Sequence, residues 1–318
     1  MVDIAPLSTL SRTQIFDRQL LTMKTLSLNL GGFAFPSLLQ SRSYIHRHRS
    51  LSSYPRSSLP AKSIVTFDES DFAGKQGDWP YTAADLNRLD NSGDSVFYDQ
   101  PRFVTHIDDS AISYLTKFYR QEFASLSEES LDVLDLCSSW ISHLPEDIKY
   151  GNVVGVGMNE KELSANKQLT GFVVQDLNEN PSLSQFEDNS FDVICNVVSV
   201  DYLTKPLEMF REIYRILRPG GFSLMSFSNR CFPTKAIAMW LQADDIGRIT
   251  IVGSYYHYSA KWTSIEALDI KDMLQLPQRP AVGDVMKNPS LLLAWTNAAA
   301  VVAKNNQGDP MFVVKGVK

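Results

Sequence analysis

The 318-residue sequence predicts an α/β fold, a doubly wound and mostly parallel sheet of seven strands with an N-terminal helical lead-in. From residue 131 to residue 227, short apolar runs of strand length alternate with segments whose apolar residues recur at helical spacing. Strands that alternate with helices pair in parallel through right-handed crossovers, so helices cover both faces of the sheet. Two further apolar runs after residue 247 bring the predicted strands to seven.

The individual elements follow from the apolar spacing and from the turn residues between them. The strands are predicted at residues 131–136, 152–157, 171–175, 191–197, 221–227, 248–256 and 311–317. The helices are predicted at residues 111–126, 206–217 and 234–241. The second helix begins with Pro206, which suits a first helical turn, and stops before Pro219, Gly220 and Gly221. Residues 260–310 predict loops around one or two short helices.

Composition excludes several classes of protein. Hydrophobic residues make up 44% and charged residues 21% of the chain, which is typical of a globular protein and not of a disordered or fibrous one. The net charge of −6 argues against nucleic acid as a partner. No apolar run reaches the roughly 18 residues of a membrane span. No CxxC or HExxH spacing occurs, so neither a disulfide framework nor a metal site is predicted.

The chain divides into three predicted parts: a leader at 1–65, a helical lead-in or lid at 66–128 and an α/β domain at 129–318. Residues 1–62 contain 8 lysines and arginines against 2 acids, and serine is frequent there. This composition is typical of an organelle transit peptide, so we expect a chloroplast protein, with the mitochondrion as the alternative. A disordered tail without an address has the same composition, and that interpretation stays open.

Chemistry is expected just after the strands, because ligands of doubly wound sheets lie beyond the carboxyl ends of the strands. Five junctions stand in order: LDVLDLCSSW, VVGVGMNEKEL, FVVQDLNE, FEDNSFDVICNVVSVDYL, and REIYRILRPGG followed by FSLMSFSN. Together they resemble the class I S-adenosylmethionine-dependent methyltransferases of the type 11 kind, which have a Rossmann-like fold. The resemblance covers residues 131–229, and NVVSVDYLTKP and MSFSNRCFPTKA are similar to a plant and cyanobacterial subgroup.

The resemblance implies S-adenosyl-L-methionine as cofactor and assigns the first junction to its methionine end. Asp135 takes the place of the acid that orients the methionine amino group. Cys137, Ser138, Ser139 and Trp140 stand where the family has a glycine-rich turn. Glycines there let the backbone approach the cofactor, so these side chains imply a modified loop that either binds the cofactor or closes the site.

The resemblance also implies contacts at the later junctions. The family's ribose-binding acid falls on Gly157, so Asn159 is expected to reach the ribose before Glu160 does. Asp176 and Leu177 match the adenine-binding positions, although a helix cap or turn is another interpretation of Asp176. The segment expected to line the methionine moiety ends in Asn196 and Val197.

Methyl transfer from a sulfonium needs positioning, and it needs a base only if the acceptor must lose a proton. Candidates to face the acceptor are Tyr202, Asn229, Arg230 and His257, the last within SYYHYS, whereas His106 is assigned to a lid. We expect a methyltransferase for a small-molecule acceptor. The two departures leave open a catalytically inactive binding or assembly factor. A nicotinamide-dependent oxidoreductase ranks lower because the first turn lacks its glycines. The sequence leaves the oligomeric state open.

Overall fold

The computed structural model describes residues 61–72, 78–126, 130–271, 280–306 and 308–318, with the side chains of 282–283 and 301–306 left out. Every described residue belongs to one compact unit, Ser52–Lys318. The predicted leader therefore lies almost entirely outside the described residues.

Eight strands form one sheet. They are β1 (Lys62–Phe67), β2 (Leu131–Leu136), β3 (Tyr150–Gly157), β4 (Gly171–Val174), β5 (Phe191–Val197), β6 (Leu217–Phe227), β7 (Ser264–Asp269) and β8 (Phe312–Val317). Their order is β1-β7-β8-β6-β5-β2-β3-β4. The strands from β4 to β6 run parallel, β8 is antiparallel to both of its neighbours, and β1 is antiparallel to β7. The mostly parallel, doubly wound α/β fold is confirmed, with eight strands in place of seven.

The described helices flank this sheet or connect its strands. They are α1 (Asp94–Phe97), α2 (Asp109–Phe123), α3 (Glu160–Ala165), α4 (Pro206–Ile216), α5 (Ala238–Gln242), α6 (Asp245–Ser259), α7 (Val282–Lys287) and α8 (Ser290–Asn306). In α2, Asp108 caps the first turn by accepting from the Ala111 N–H, and one stripe of the helix is buried. In α4, Pro206 occupies the first turn, as predicted.

Two apolar cores lie on opposite faces of the sheet. On one face α4 and α6 pack together, with Phe210 and Tyr256 4.7 Å apart between ring centroids. On the other face α2 buries Phe118 and Phe123 against β2, β5 and β6. Both faces are therefore covered, which explains why the central strands are predominantly apolar.

The structure differs from the sequence predictions of local structure in three places. Residues 248–256 form part of helix α6, because Asp244 caps a helix there by accepting from the Gly247 N–H. Strands β1 and β7 were not predicted, and the proposed leader boundary at residue 65 falls inside β1. Residues 218–221 continue β6, with Gly220 at φ 81°, and do not end a helix by a turn. None of the described helices is both long and apolar enough to cross a bilayer.

Candidate functional site

A cavity of about 630 Å³ lies beyond the carboxyl ends of the parallel strands. The strand order reverses between the neighbours β2 and β5. The chain continues from β2 to β3 and β4 on one side, and from β5 to β6 on the other. Such a reversal separates the loops on either side and leaves a crevice for ligands. The sheet side of the wall includes Asp135, Cys137, Gly157, Asp176, Leu177 and Val197. Residues 94–107, called the strap below, supply much of the opposite side.

The loop after β2 is held by its own serine hydroxyls. Ser138 and Ser142 both donate to Asp135 Oδ2 at 2.6 Å, and the Ser138 N–H donates to Val156 O at 2.8 Å. Asn166 Nδ2 donates to Ser142 Oγ and to Ser139 O, at 2.8 and 2.9 Å. These bonds hold in place a loop that contains no glycine. They also place the Asp135 carboxyl at the cavity wall.

Burial governs ionisation in this loop. Asp135 is 4% exposed, and burial raises its pKa to about 6 although the two serine hydroxyls oppose the shift. Burial and the nearby Asp135 raise the pKa of the Cys137 thiol to about 12. Cys137 is therefore protonated at neutral pH and is not an activated nucleophile. Its backbone adopts φ 58°, the left-handed conformation that favours glycine.

The loop after β2 and the end of β3 fit each other closely. A Cβ atom at Gly157 would lie 2.2 Å from the Ser138 carbonyl oxygen and 3.1 Å from Leu163 Cδ2. No residue other than glycine fits there without a backbone shift. An acid at residue 157 is therefore excluded by the path of the loop after β2.

Asn159 and Glu162 hold the strap down. Asn159 Oδ1 caps α3 by accepting from the backbone N–H groups of residues 161 and 162, while Nδ2 donates to Tyr98 O at 2.9 Å. Glu162 accepts from the Arg102 N–H and from Ser139 Oγ, both at 2.6 Å. The Asn159 amide predicted for the ribose is thus engaged with the chain's own backbone, and Glu160 does not line the cavity.

Trp140 and Asp176 also make contacts within the chain. Trp140 Nε1 donates to Val104 O of the strap at 3.0 Å. Asp176 Oδ1 accepts from the N–H groups of Asn178 and Glu179 at 2.9 and 3.2 Å, so Asp176 caps a turn. Both side chains still lie in the cavity wall, and the neighbouring Leu177 is 6% exposed.

The two predicted residues at the end of β5 differ in position. Val197 lines the cavity. Asn196 is fully buried, lies outside the cavity wall and donates from Nδ2 to Leu136 O at 3.1 Å. Its Oδ1 has no hydrogen-bond partner among the described residues. Asn196 therefore ties β5 to β2 beneath the site.

The structure separates the acceptor-facing candidates. Tyr202 lines the cavity, and its hydroxyl accepts from the Phe232 N–H at 2.8 Å. Asn229 and Arg230 also line it, with Arg230 Nε 2.6 Å from Asp309 Oδ2. His257 does not. It lies on α6 and stacks on Phe72, with 4.5 Å between ring centroids, so the structure does not bring it to the cavity.

Two histidines reach the cavity from other segments. His106 belongs to the strap, and His143 belongs to the loop after β2. Burial lowers the pKa of His106, and burial with the nearby His106 lowers that of His143 to about 4. Both rings are neutral at pH 7. His143 has no signal of its own in the sequence, because its place depends on the path of that loop.

A second set of polar residues anchors the start of the strap. Asp94 is 5% exposed and accepts from Arg88 Nη1 at 2.7 Å and from Asn178 Nδ2 at 2.8 Å. The buried Lys235 ammonium lies 3.3 Å from Asp94 and 3.0 Å from Asp90. Within the described part of the chain, no group of three or more metal-ligating side chains is found.

Comparison with known proteins agrees with this geometry. Residues 136–225, from the end of β2 into β6, match the family described as Methyltransferase domain. The match spans less than a third of the chain, and over this segment the protein is similar to a methyltransferase domain. The cavity lies at the ends of the strands that this domain contains.

Similarity to individual proteins is more distant. The demethylmenaquinone methyltransferases of Listeria welshimeri and Listeria monocytogenes are 28% identical over 102 residues, which cover 30% of this chain and 43% of theirs. The chain thus spans less than half the length of these relatives.

Two solved structures show lower identity. A methyltransferase from Archaeoglobus fulgidus is 13% identical with a TM-score of 0.41, covering 65% of this chain and 94% of that one. Haemonchus contortus phosphoethanolamine N-methyltransferase 2, with S-adenosyl-L-methionine, is 15% identical with a TM-score of 0.40, covering 70% and 59%.

Proposed function

We propose that the protein binds S-adenosylmethionine in the cavity beyond β2 to β5 and transfers its methyl group to a small-molecule acceptor. The observation that carries this proposal is the position of the cavity, at the reversal of strand order and beside the segment that matches a methyltransferase domain. A cavity of about 630 Å³ also falls within the size range of small-molecule sites.

The residues of the cavity wall fit a cationic sulfonium cofactor. Asp135, Glu162 and Asp176 supply carboxylates to the wall, and Trp140 supplies an aromatic ring. Asp176 and the backbone of Leu177 would hold the adenine end, while Asp135 and Val197 would hold the methionine end. With a pKa of about 6, Asp135 is mostly ionised at neutral pH.

When bound, the cofactor supplies an activated methyl group with a neutral thioether as leaving group. The chain's own contribution is then to align the acceptor and exclude water. Burial raises the pKa of Tyr98 and of Tyr202, so both phenols stay protonated. His106 is neutral at pH 7 and is the ring we assign to accept a proton from an acidic acceptor group.

A specific observation favours the alternative, an inactive binding or assembly factor. The strap is hydrogen-bonded by the side chains of Asn159, Glu162 and Trp140. In this alternative the strap permanently fills the place of the ribose, and the departures at Gly157 and in the loop after β2 record a lost activity.

Calorimetric titration of the full chain with S-adenosylmethionine and S-adenosylhomocysteine separates the two functions. Methyltransferase function predicts micromolar binding that weakens about tenfold, or about 1.4 kcal/mol, in Asp135→Asn and Asp176→Asn. An asparagine in place of Asp176 still caps the turn, so the effect of that substitution reports on charge. The surface variant Asp147→Asn is the matched control. Absence of heat and of thermal stabilisation with either ligand would support the binding factor instead.

The acid-poor leader supports a plastid location, with the mitochondrion as alternative. Between Arg18 and Asp68 the sequence contains no acid. Fusion of residues 1–65 to a fluorescent protein tests this: accumulation in plastids is expected, and diffuse cytosolic fluorescence would reject the transit peptide.

A further inference from the structure

Arg102 is a cation in the cavity wall that lacks a carboxylate partner. Its backbone N–H donates to Glu162, and its Nη2 donates to Phe97 O at 2.9 Å. Its Nη1 is buried and has no hydrogen-bond partner among the described residues. Over the same ranges, no ion pair of its guanidinium is found. A buried donor without an acceptor is destabilising, so this group is poised to gain from a ligand acceptor.

Aromatic rings fix the plane of this guanidinium. Its central carbon lies 4.2 Å from the Phe97 ring centroid and 5.5 Å from the centroids of Tyr98 and Phe232. Stacking and the bond to Phe97 O leave the remaining donors in a fixed orientation. A planar fork held in this way matches the two oxygens of a carboxylate.

Among the charged side chains of the cavity wall, Arg102 is the one whose charge a ligand would neutralise. Four acids line the wall and each already accepts hydrogen bonds from the protein: Asp94, Asp135, Glu162 and Asp176. The other arginine in the wall, Arg230, is paired with Asp309. An anionic ligand group therefore has one evident partner in this wall.

We propose that Arg102 binds a carboxylate group of a ligand in this cavity. The carboxylate could belong to the methyl acceptor or to the methionine end of the cofactor. Both sources follow from the proposed function, on which this inference rests. Tyr98, Tyr202 and Phe232 line the cavity beside Arg102 and form an apolar wall. An acceptor carrying the carboxylate would therefore be an aromatic acid, for which benzoate is the probe.

The test uses calorimetry on the full chain with three probes: S-adenosylhomocysteine, 5′-methylthioadenosine, which lacks the amino-acid carboxylate, and benzoate added with S-adenosylhomocysteine present. Arg102→Met is expected to weaken the binding of one carboxylate probe at least tenfold and to leave the affinity for 5′-methylthioadenosine unchanged. Loss of S-adenosylhomocysteine binding identifies the cofactor as the source, and loss of benzoate binding identifies the acceptor. Arg102→Lys should lose less, because it keeps the charge without the fork.

Controls separate this inference from the proposed function. Arg120→Met removes a surface arginine paired with Asp147 and should leave all three affinities unchanged. Unchanged affinities in Arg102→Met, or equal loss of all three probes, would overturn the carboxylate site. Failure of the wild type to bind either nucleoside rejects the proposed function, while Arg102-dependent binding of benzoate alone would still uphold the site.

Discussion

The carbonyl oxygen of Ser138 lies 2.2 Å from where a Cβ atom would stand on Gly157. The two departures from the family pattern are therefore a single structural feature. The serine-containing loop after β2 folds over the end of β3 at a position that an acidic side chain would otherwise occupy. Because the contact is with a backbone carbonyl, it depends on the path of the loop and not on the serine side chain.

Gly157→Ala is expected to destabilise the protein by more than about 2 kcal/mol, because the backbone of one of the two segments must move. Gly171→Ala on β4 is the matched control, since a Cβ there meets no atom within 4 Å among the described residues. Its effect should stay within about 0.5 kcal/mol. Urea unfolding measures both, and equal stabilities would show that the loop is free to shift.

Cys137 combines a left-handed backbone with a buried side chain, and two substitutions separate these properties. Cys137→Gly and Cys137→Ala both remove the thiol, but only alanine keeps the unfavourable Cβ at φ 58°. The glycine variant is expected to be more stable than the alanine variant by about 1 kcal/mol. The reverse order in denaturant unfolding would contradict the left-handed conformation.

Asn159→Asp is expected to loosen the strap without weakening α3. Aspartate still caps the helix, but it cannot donate to Tyr98 O or Asp99 O. Faster amide hydrogen exchange is predicted in residues 94–104, with unchanged exchange in α3. Asn159→Ala should accelerate both segments, and a strap that exchanges as in the wild type would show that these bonds are dispensable.

Asp201 predicts a pH-dependent stability. Burial raises the pKa of its carboxyl from 3.8 to about 8, and Oδ2 has no hydrogen-bond partner among the described residues. The unfolded chain loses this proton at lower pH than the folded one, so stability falls as pH rises from about 4 to about 8. Asp201→Asn removes this loss.

The measurement is the free energy of unfolding of both proteins at about pH 5 and about pH 8.5. Between these two pH values, the free energy of unfolding of the variant should rise relative to that of the wild type. The expected rise is roughly 1.4 kcal/mol for each unit by which folding raises the Asp201 pKa within that interval. Asp147→Asn, at the surface, should show no such gain. A difference that stays constant with pH would mean that Asp201 titrates normally.

The central fold was predictable because β2, β5 and β6 are largely buried and therefore read as predominantly apolar runs of strand length. Residues 248–256 misled because Tyr255 and Tyr256 favour strands by intrinsic propensity. This segment is helical because it packs against α4 and because Asp244 caps its first turn. A cap of this kind is visible in the sequence, and it is the signal that could have corrected the prediction.

The candidate site was predictable at the level of junctions and less so at the level of atoms. Asp135, Asp176 and Val197 could be placed because each lies within two residues of the end of a strand. That Asn159 would contact the strap could not be foreseen, because its partners lie about 60 residues earlier in the chain. Arg102 and His143 likewise reach the cavity through loop paths that no local pattern encodes.

Strand β1 pairs along β7, from Lys62 opposite Asp269 to Phe67 opposite Ile265. It supplies hydrogen-bond partners to what would otherwise be an open edge of the sheet. Strand β1 is then the edge of the sheet, and it is short, with a register shift between Ser63 and Val65, features that discourage pairing with strands of other molecules. Proteolytic maturation that cut at residue 65 would remove most of this strand. A cut that keeps β1 paired with β7 would have to fall before Lys62.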